Sequence, residues 1–241
     1  RRLRPLASRI LTGDESAARA LGARAQAVGV PVRPFGAGRG RARDRESFDL
    51  HPETPTLLVA GGSQGADPIN RFAAVHASLL ASAGIQVIHL AGPGKTALPE
   101  RAYREANVRA RVFGFLRDVG RAYSAADLVL CRGGATTLAE VAEAGRGAVV
   151  VPYPHHADRH QFRNAGRLGE GALLLEEERL DATAMGEVIR RLRDPEGLRR
   201  MAASSSRAAR PSATQRVVAD LRVLAGSVPS PAPSGAREER P

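Results

Sequence analysis

Apolar strands and amphipathic helices alternate along the central part of the chain. Thr56–Ala60 is a short apolar, partly β-branched run, and apolar residues then recur at helical spacing from Ile69 to Leu79. The further predicted strands are Gln86–Leu90, Arg111–Phe113, Asp127–Cys131, Ala148–Val151 and Ala172–Leu175, and the helices predicted between them are Glu100–Ala106, Val119–Ala125, Thr136–Ala144 and His160–Leu168. Continuous apolar strands joined by helices are typical of a parallel sheet covered on both faces. The pattern therefore predicts an α/β fold.

The flanking segments lack this repeat. In residues 1–50 a strand at Ser8–Leu11 and a helix at Glu15–Ala27 precede a stretch rich in Gly, Pro and Arg, as in a crossing between domains. Three more helices are predicted at Asp181–Arg193, Pro195–Ser206 and Pro211–Leu224, and the Pro-, Ser- and Gly-rich end predicts a disordered tail. We therefore expect a domain over residues 51–225 and a tail over 226–241.

The composition narrows the classes of function. The formal charge is +11, but only 4% of the residues are aromatic, so stacking platforms for nucleic-acid bases are poorly supplied and we expect no nucleic-acid partner. Because Lys95 is the only lysine, a GC-rich coding bias explains the charge as well as a basic surface for an anionic membrane does. A single cysteine, Cys131, excludes an internal disulfide and a cysteine-based zinc site. No signal peptide or long apolar run is present, which predicts a cytoplasmic protein.

Two glycine-rich segments follow strands. Gly61–Ala66 reads GGSQGA, where the glycines and Ser63 suit a phosphate, although the dinucleotide fingerprint is not met and a turn without a ligand is the alternative. Ala91–Thr96 reads AGPGKT, but His89 stands where a triphosphate-binding loop needs glycine. The second segment is therefore interpreted as an ordinary loop.

The segment Cys131–Glu140 repeats the order of strand, glycine turn and helix. Thr136 or Thr137 can cap the helix or bond a phosphate oxygen. Glu140 follows on the same helix, where a carboxylate suits paired sugar hydroxyls better than phosphate. The alternative is a capping box, which only a cap at Thr137 would fit.

The loop and helix over Pro152–Ala165 are the most polar segment after a buried strand. His156, Asp158 and His160 alternate in a way that suggests a metal triad, but a helix is predicted to start there and no further ligand is evident, so we expect no metal and a capping role for Asp158. Gln161 and Asn164 share a helix face and offer amides suited to sugar hydroxyls, unless they are solvated surface residues.

Together and in this order, these motifs resemble the C-terminal half of the MurG family, the bacterial N-acetylglucosaminyltransferases of peptidoglycan synthesis. The segments that carry the resemblance are Pro31–Pro34, Thr56–Ala66, Asn70, Val112–Val119, Ala122–Glu140 and Val151–Ala165. The resemblance implies a Rossmann-like parallel sheet with helices on both faces, the C-terminal domain of a GT-B glycosyltransferase. Residues 1–50 would then be a remnant of the N-terminal domain plus the linker, with most of that domain absent.

The resemblance also implies a set of donor-binding residues. It places Arg33, Ser63, Gln64, Ala135, Thr136 and Thr137 at a diphosphate, Phe115 and Leu116 at uracil, Glu140 at ribose, and His160, Gln161 and Asn164 at N-acetylglucosamine. It implies neither a metal nor a cofactor. The general base is expected in the absent N-terminal domain, so no catalytic residue is assigned in this chain.

The implied function is inverting transfer of N-acetylglucosamine from UDP-N-acetylglucosamine to the lipid-linked muramoyl-peptide precursor, which converts lipid I to lipid II. Such a hexosyltransferase would act in cell-wall synthesis, cell shape and division, peripherally on the inner face of the cell membrane, and would meet its acceptor through the absent domain. The alternative is a stand-alone nucleotide-sugar-binding module, either inactive alone or working with a separate acceptor-domain subunit.

Overall fold

The computed structural model describes residues 6–33, 40–155 and 159–226, which fall into two compact units. The first combines the described parts of Arg1–Pro31 and Ser212–Pro241, and the second is formed by Val32–Pro211. The boundaries expected from the sequence, after residues 50 and 225, differ from these. The helix Arg41–Glu46 packs within the second unit, whereas the helix Ala213–Gly226 belongs to the first. Beyond Gly226 the expected tail lies outside the described residues.

The elements of the described residues follow one another in the order that the sequence pattern predicts for most of the chain. The strands are β1 (Ile10–Thr12), β2 (Ala25–Ala27), β3 (Thr56–Ala60), β4 (Gln86–Leu90), β5 (Ala110–Phe113), β6 (Leu128–Cys131), β7 (Gly147–Val150) and β8 (Ala172–Leu174). The helices are α1 (Glu15–Leu21), α2 (Arg41–Glu46), α3 (Asp67–Val75), α4 (Ala77–Ser82), α5 (Ala97–Glu105), α6 (Val119–Ala125), α7 (Ala135–Glu143), α8 (His160–Gly166), α9 (Ala182–Leu192), α10 (Pro195–Ala208) and α11 (Ala213–Gly226).

In the first unit, β1 and β2 form a short parallel pair around α1. The predicted helix Glu15–Ala27 is wrong after Leu21. Gly22 takes a φ of 88° and its N–H bonds the carbonyl of Ala18, which ends the helix. The following residues then pair with β1 instead of continuing the helix.

In the second unit, the described strands form a six-stranded parallel sheet in the order β5-β4-β3-β6-β7-β8. Successive residues of β3 point to opposite faces, and all five are buried. Leu57 and Val59 join one apolar cluster, while Leu58 and Ala60 join another. Helices therefore cover both faces of the sheet, which confirms the predicted α/β class.

At the amino edge of this sheet, two arginines hold the end of α6. Arg146 donates from Nε to the Tyr123 carbonyl at 2.9 Å and from Nη2 to the Ser124 carbonyl at 3.0 Å, and Arg45 donates from Nε to Ala125 at 2.9 Å. Burial lowers the pKa of Arg146 to about 10, so its guanidinium keeps its charge at neutral pH. A cation at a helix C-terminus is favourable, and here it fixes the backbone of Tyr123.

A buried polar chain fixes the end of β4. Asn70 donates from Nδ2 to the Ala91 carbonyl at 2.9 Å, so its oxygen is left to accept from Nε2 of His89 at 3.0 Å. The Nδ1 of His89 then accepts from the Tyr103 hydroxyl at 2.8 Å. Burial lowers the pKa of His89 to about 3, so the ring is neutral at physiological pH, as this bonding requires.

Candidate functional site

A cavity of about 390 Å³ lies at the carboxyl edge of the sheet, where β3, β4, β5 and β6 end. Its lining residues are Ala60, Gly62, Ser63, Leu90, Gly92, Gly114, Phe115, Leu116, Val119, Tyr123, Thr136, Thr137 and Glu140. Open α/β sheets bind their ligands at this edge. The cavity brings together six of the residues named from the sequence: Ser63, Phe115, Leu116, Thr136, Thr137 and Glu140.

The N-terminus of α7 forms one wall of the cavity. Its cap is Gly134, an extended residue, and no side chain among the described residues caps the helix. The first N–H bonded within the helix is that of Leu138, to the Gly134 carbonyl, so the N–H groups of residues 135–137 have no intrahelical acceptor. The capping-box alternative is therefore wrong, because Thr137 is not the cap. Two threonine hydroxyls and these N–H groups instead offer donors for an anion.

Glu140 contributes a carboxylate to the same cavity. Its Oε2 accepts a hydrogen bond of 3.0 Å from the hydroxyl of Tyr123, a residue that is only 1% exposed. Burial raises the pKa of Glu140, while the Tyr123 hydrogen bond and the charge of Arg33 oppose that rise. Burial also raises the pKa of Tyr123 well above its usual value, so the phenol stays protonated and donates.

Sequence reasoning missed Tyr123 as a site residue. It lies in α6, which precedes β6, whereas Glu140 lies in α7, which follows β6, and the hydrogen bond joins the two helices. The one available signal is a bulky phenol among the small residues of Ala122–Ala126.

The two glycine loops pack backbone against backbone beside the cavity. Gly65 has a φ of 68° and faces the carbonyl of Ala91, and Gly92 has a φ of 95° and would place a methyl group 2.6 Å from the carbonyl carbon of Gln64. Only glycine fits either position without strain. The loop Ala91–Thr96 is therefore more than an ordinary connection, since Gly92 also lines the cavity. Gln64 is exposed and is not among the residues that line the cavity.

Phe115 and Arg33 affect the cavity in different ways. Phe115 is 74% exposed, a large fraction for an aromatic ring, and leaves a planar face for a ligand. Arg33 does not line the cavity, but it donates from Nη1 to the Arg117 carbonyl at 3.4 Å and its charge reaches Glu140. The guanidinium is thus close enough to affect an anion bound there.

The amides of α8 bond to the turn before α7. Oε1 of Gln161 accepts from the N–H groups of Gly133 at 3.1 Å and of Tyr153 at 2.9 Å. The Nδ2 of Asn164, which is 9% exposed, donates to the Gly133 carbonyl at 3.0 Å. These two side chains and His160 therefore lie beside the cavity wall, not among the residues that line the cavity.

The metal and capping interpretations of the histidine-rich loop fall mostly on His156 and Asp158, which lie outside the described residues. The cap residue of α8 is Arg159. Over the ranges given above, no group of three His, Cys, Asp or Glu side chains is placed to hold a metal ion. In the same ranges, no helix has both the length and the apolarity to cross a membrane.

Comparison with known proteins places this geometry in a family. The sequence profile of the glycosyltransferase family 28 C-terminal domain matches residues 56–217. A UDP-N-acetylglucosamine–N-acetylmuramyl-(pentapeptide) pyrophosphoryl-undecaprenol N-acetylglucosamine transferase from Stutzerimonas stutzeri is 44% identical over 168 residues, which are 68% of this chain and 47% of that protein. A protein of the same name from Pseudomonas putida is 37% identical over 222 residues, which are 90% of this chain and 60% of that protein.

The fold comparison agrees with the sequence comparison. The crystal structure of Acinetobacter baumannii MurG matches with a TM-score of 0.67 and 27% identity, over 92% of this chain and 68% of that one. The resemblance to the C-terminal half of the MurG family is thereby confirmed, and the chain spans about half the length of the relatives it matches. The chain belongs to glycosyltransferase family 28, of which it carries the C-terminal domain.

Proposed function

We propose that the chain is the donor-binding half of an inverting N-acetylglucosaminyltransferase that takes N-acetylglucosamine from UDP-N-acetylglucosamine to a lipid-linked muramoyl-peptide. The observation that carries this proposal is the cavity in which the uncapped N-terminus of α7, the Glu140 carboxylate and the exposed ring of Phe115 meet. A nucleoside diphosphate matches these three features in turn, with an anionic diphosphate, the paired ribose hydroxyls and a planar base. The names of the relatives support the donor sugar and the acceptor, and they favour a transferase over the stand-alone module.

The diphosphate is assigned to the N-terminus of α7. Five donors would bind it there without a metal: the N–H groups of Ala135, Thr136 and Thr137 and the two threonine hydroxyls. Ser63 lines the same cavity, and the positive charge of Arg33 acts on Glu140 within it. When the bond to the sugar breaks, negative charge grows on the leaving diphosphate, and these fixed donors would stabilise it.

The nucleoside is assigned to the other side of the cavity. Phe115 and Leu116 would flank the uracil, with the Leu116 backbone reading its edge, and Glu140 would accept hydrogen bonds from the two ribose hydroxyls. A carboxylate is poorly placed beside phosphate, which is why we give it the hydroxyls.

The transferred sugar is assigned to the start of α8. Because Oε1 of Gln161 already accepts two backbone N–H groups, its Nε2 is the atom proposed to donate to a sugar hydroxyl, with His160 beside it. Asn164 is buried and bonded to Gly133, so we propose that it acts on the sugar site through that turn. The acceptor site and the general base are assigned to the N-terminal domain of the enzyme.

We further propose that the protein works at the inner face of the cell membrane in cell-wall synthesis, and so in cell shape and division. The formal charge of +11 would hold it at anionic lipid. Binding to anionic vesicles should then weaken as salt is added, and binding that ignores ionic strength would contradict an electrostatic attachment.

Calorimetry with UDP-N-acetylglucosamine tests the donor assignment. The variant Thr137→Val removes one proposed phosphate donor and keeps the side-chain shape, so we expect affinity to fall roughly tenfold. Thr183→Val makes the same change on an exposed position of α9 and should leave affinity unchanged. Absence of binding to the wild-type chain at millimolar ligand would overturn the proposal.

A further inference from the structure

Tyr123 combines complete burial with a contact to the candidate site. Its side chain is 1% exposed, and its hydroxyl is 3.0 Å from Oε2 of Glu140. Its backbone carbonyl accepts a hydrogen bond of 2.9 Å from Nε of Arg146. The hydroxyl therefore has little freedom to move, and it fixes one oxygen of a carboxylate that would otherwise rotate.

Packing alone does not explain the hydroxyl. A phenylalanine would fill nearly the same volume, and burying a hydroxyl costs free energy unless it is bonded. The hydroxyl donates to Glu140, and both residues line the cavity. The hydrogen bond thus links a fixed point in the core to a group at the ligand site.

We propose that Tyr123 is a positioning residue for ribose recognition, because its hydroxyl holds Oε2 of Glu140 and leaves Oε1 to accept from the ribose hydroxyls. This rests on the proposed function, in which Glu140 binds the ribose. In this arrangement Tyr123 acts on the ribose through the carboxylate that it holds.

The charge balance around Glu140 supports the same role. Burial raises the pKa of this carboxyl, and two groups oppose the rise: the Tyr123 hydroxyl from α6 and the Arg33 guanidinium from the segment before α2. The third titratable neighbour, Cys131 of β6, is neutral at physiological pH because burial raises the pKa of its thiol to about 12. Loss of the phenol hydroxyl would therefore raise the pKa of Glu140 further.

The test measures how well the chain distinguishes UDP from 2′,3′-dideoxy-UDP, by calorimetry between about pH 8 and about pH 5.5. Tyr123→Phe should weaken the binding of UDP roughly tenfold and leave the binding of the dideoxy analogue unchanged, because only UDP carries ribose hydroxyls for the carboxylate. The ionised carboxylate is the acceptor, so binding is full above the pKa of Glu140 and falls as the pH drops through it. In Tyr123→Phe this fall should begin at a higher pH than in the wild type.

A second buried tyrosine provides the matched control. Tyr103 is 2% exposed and its hydroxyl bonds His89, so Tyr103→Phe removes one buried hydrogen bond without touching Glu140. We expect Tyr103→Phe to keep the ratio of UDP to dideoxy-UDP affinity at every pH. If Tyr123→Phe also keeps that ratio, Tyr123 has only a structural role and the inference is overturned.

Glu140→Ala separates this inference from the proposed function. If Glu140→Ala keeps the wild-type ratio of UDP to dideoxy-UDP affinity, the ribose assignment itself is wrong. If Glu140→Ala lowers this ratio but Tyr123→Phe keeps it, only the role of Tyr123 is wrong. Should Tyr123→Phe fail to fold, 3-fluorotyrosine incorporated at position 123 keeps the ring and makes the hydroxyl a stronger donor. The fall of UDP affinity should then begin at a lower pH than in the wild type, and an unchanged profile would overturn the inference.

Discussion

Gly65 joins the two glycine loops at the edge of the cavity, and its replacement by alanine gives a quantitative test of that contact. The residue has a φ of 68°, in the left-handed region. An added methyl group would lie 2.7 Å from the carbonyl carbon of Ala91 and would collide with its oxygen. That oxygen also accepts the hydrogen bond from Asn70. Gly65→Ala must therefore displace the backbone of one loop or the other.

The expected cost has two parts. An alanine in the left-handed region costs about 1–2 kcal/mol. Moving Ala91 away breaks the hydrogen bond from the buried Asn70, and a buried amide without a partner costs about 1–3 kcal/mol more. We therefore expect Gly65→Ala to lower the free energy of unfolding by about 2–5 kcal/mol.

Gly84 provides the control, because its φ of 66° is nearly that of Gly65 and a methyl group there would meet nothing within 4 Å. Gly84→Ala should cost only the backbone part, about 1–2 kcal/mol. Urea unfolding followed by tyrosine fluorescence measures both, and all three tyrosines, Tyr103, Tyr123 and Tyr153, lie in the second unit. Equal destabilisation by the two variants would refute the contact between the loops. Gly65→Ala should also weaken UDP-N-acetylglucosamine binding, which Gly84→Ala should not.

Two further changes test the interior of the second unit. Asp127→Ala leaves the buried Arg45 without its carboxylate and should lower the free energy of unfolding in urea by about 3–5 kcal/mol. Asp67→Ala breaks the exposed pair with Lys95 and should lower it by under about 1 kcal/mol. Similar losses in the two variants would contradict the difference in burial. For His89 the folded pKa of about 3 lies below the unfolded value of about 6.5, so its contribution is full above pH 6.5 and is lost as the pH falls towards 3. Between pH 7 and pH 4.5 this loss is about 2–3 kcal/mol, and His89→Gln should flatten that part of the profile; an unchanged slope would refute the neutral buried ring.

The sheet could be predicted from the sequence because its strands are buried on both faces. Such strands appear as continuous apolar runs, and the glycine turns after them mark where each strand ends. The strand Thr56–Ala60 and the helix Val119–Ala125 have the predicted bounds. In contrast, Ala25–Ala27 has no strand propensity of its own, and it pairs with β1 only after Gly22 has ended α1. That pairing is a contact between distant residues, which a local pattern does not contain.

The site shows the same division between local and distant information. The position of Glu140 and the threonines after β6 is a local feature, and it predicts a ligand site at the carboxyl edge of the sheet, where the cavity lies. The hydrogen bond between Tyr123 and Glu140 depends on how α6 and α7 pack, so the sequence shows an isolated phenol but not its partner. The spacing of Gln161 and Asn164 correctly predicted a shared helix face, but it did not predict that this face bonds Gly133.

That last arrangement links the two ends of the proposed donor site. Gly133 gives its N–H to Gln161 and accepts from Asn164, so both of its backbone groups are bonded to α8. A methyl group on Gly133 would lie 2.7 Å from Cβ of Gln161, which shows how closely the turn and the helix pack. Gly134, the next residue, is the cap of α7. The start of α8, assigned to the sugar, and the start of α7, assigned to the diphosphate, are therefore held at a fixed distance across the bond that the proposed reaction breaks, as positioning for catalysis requires.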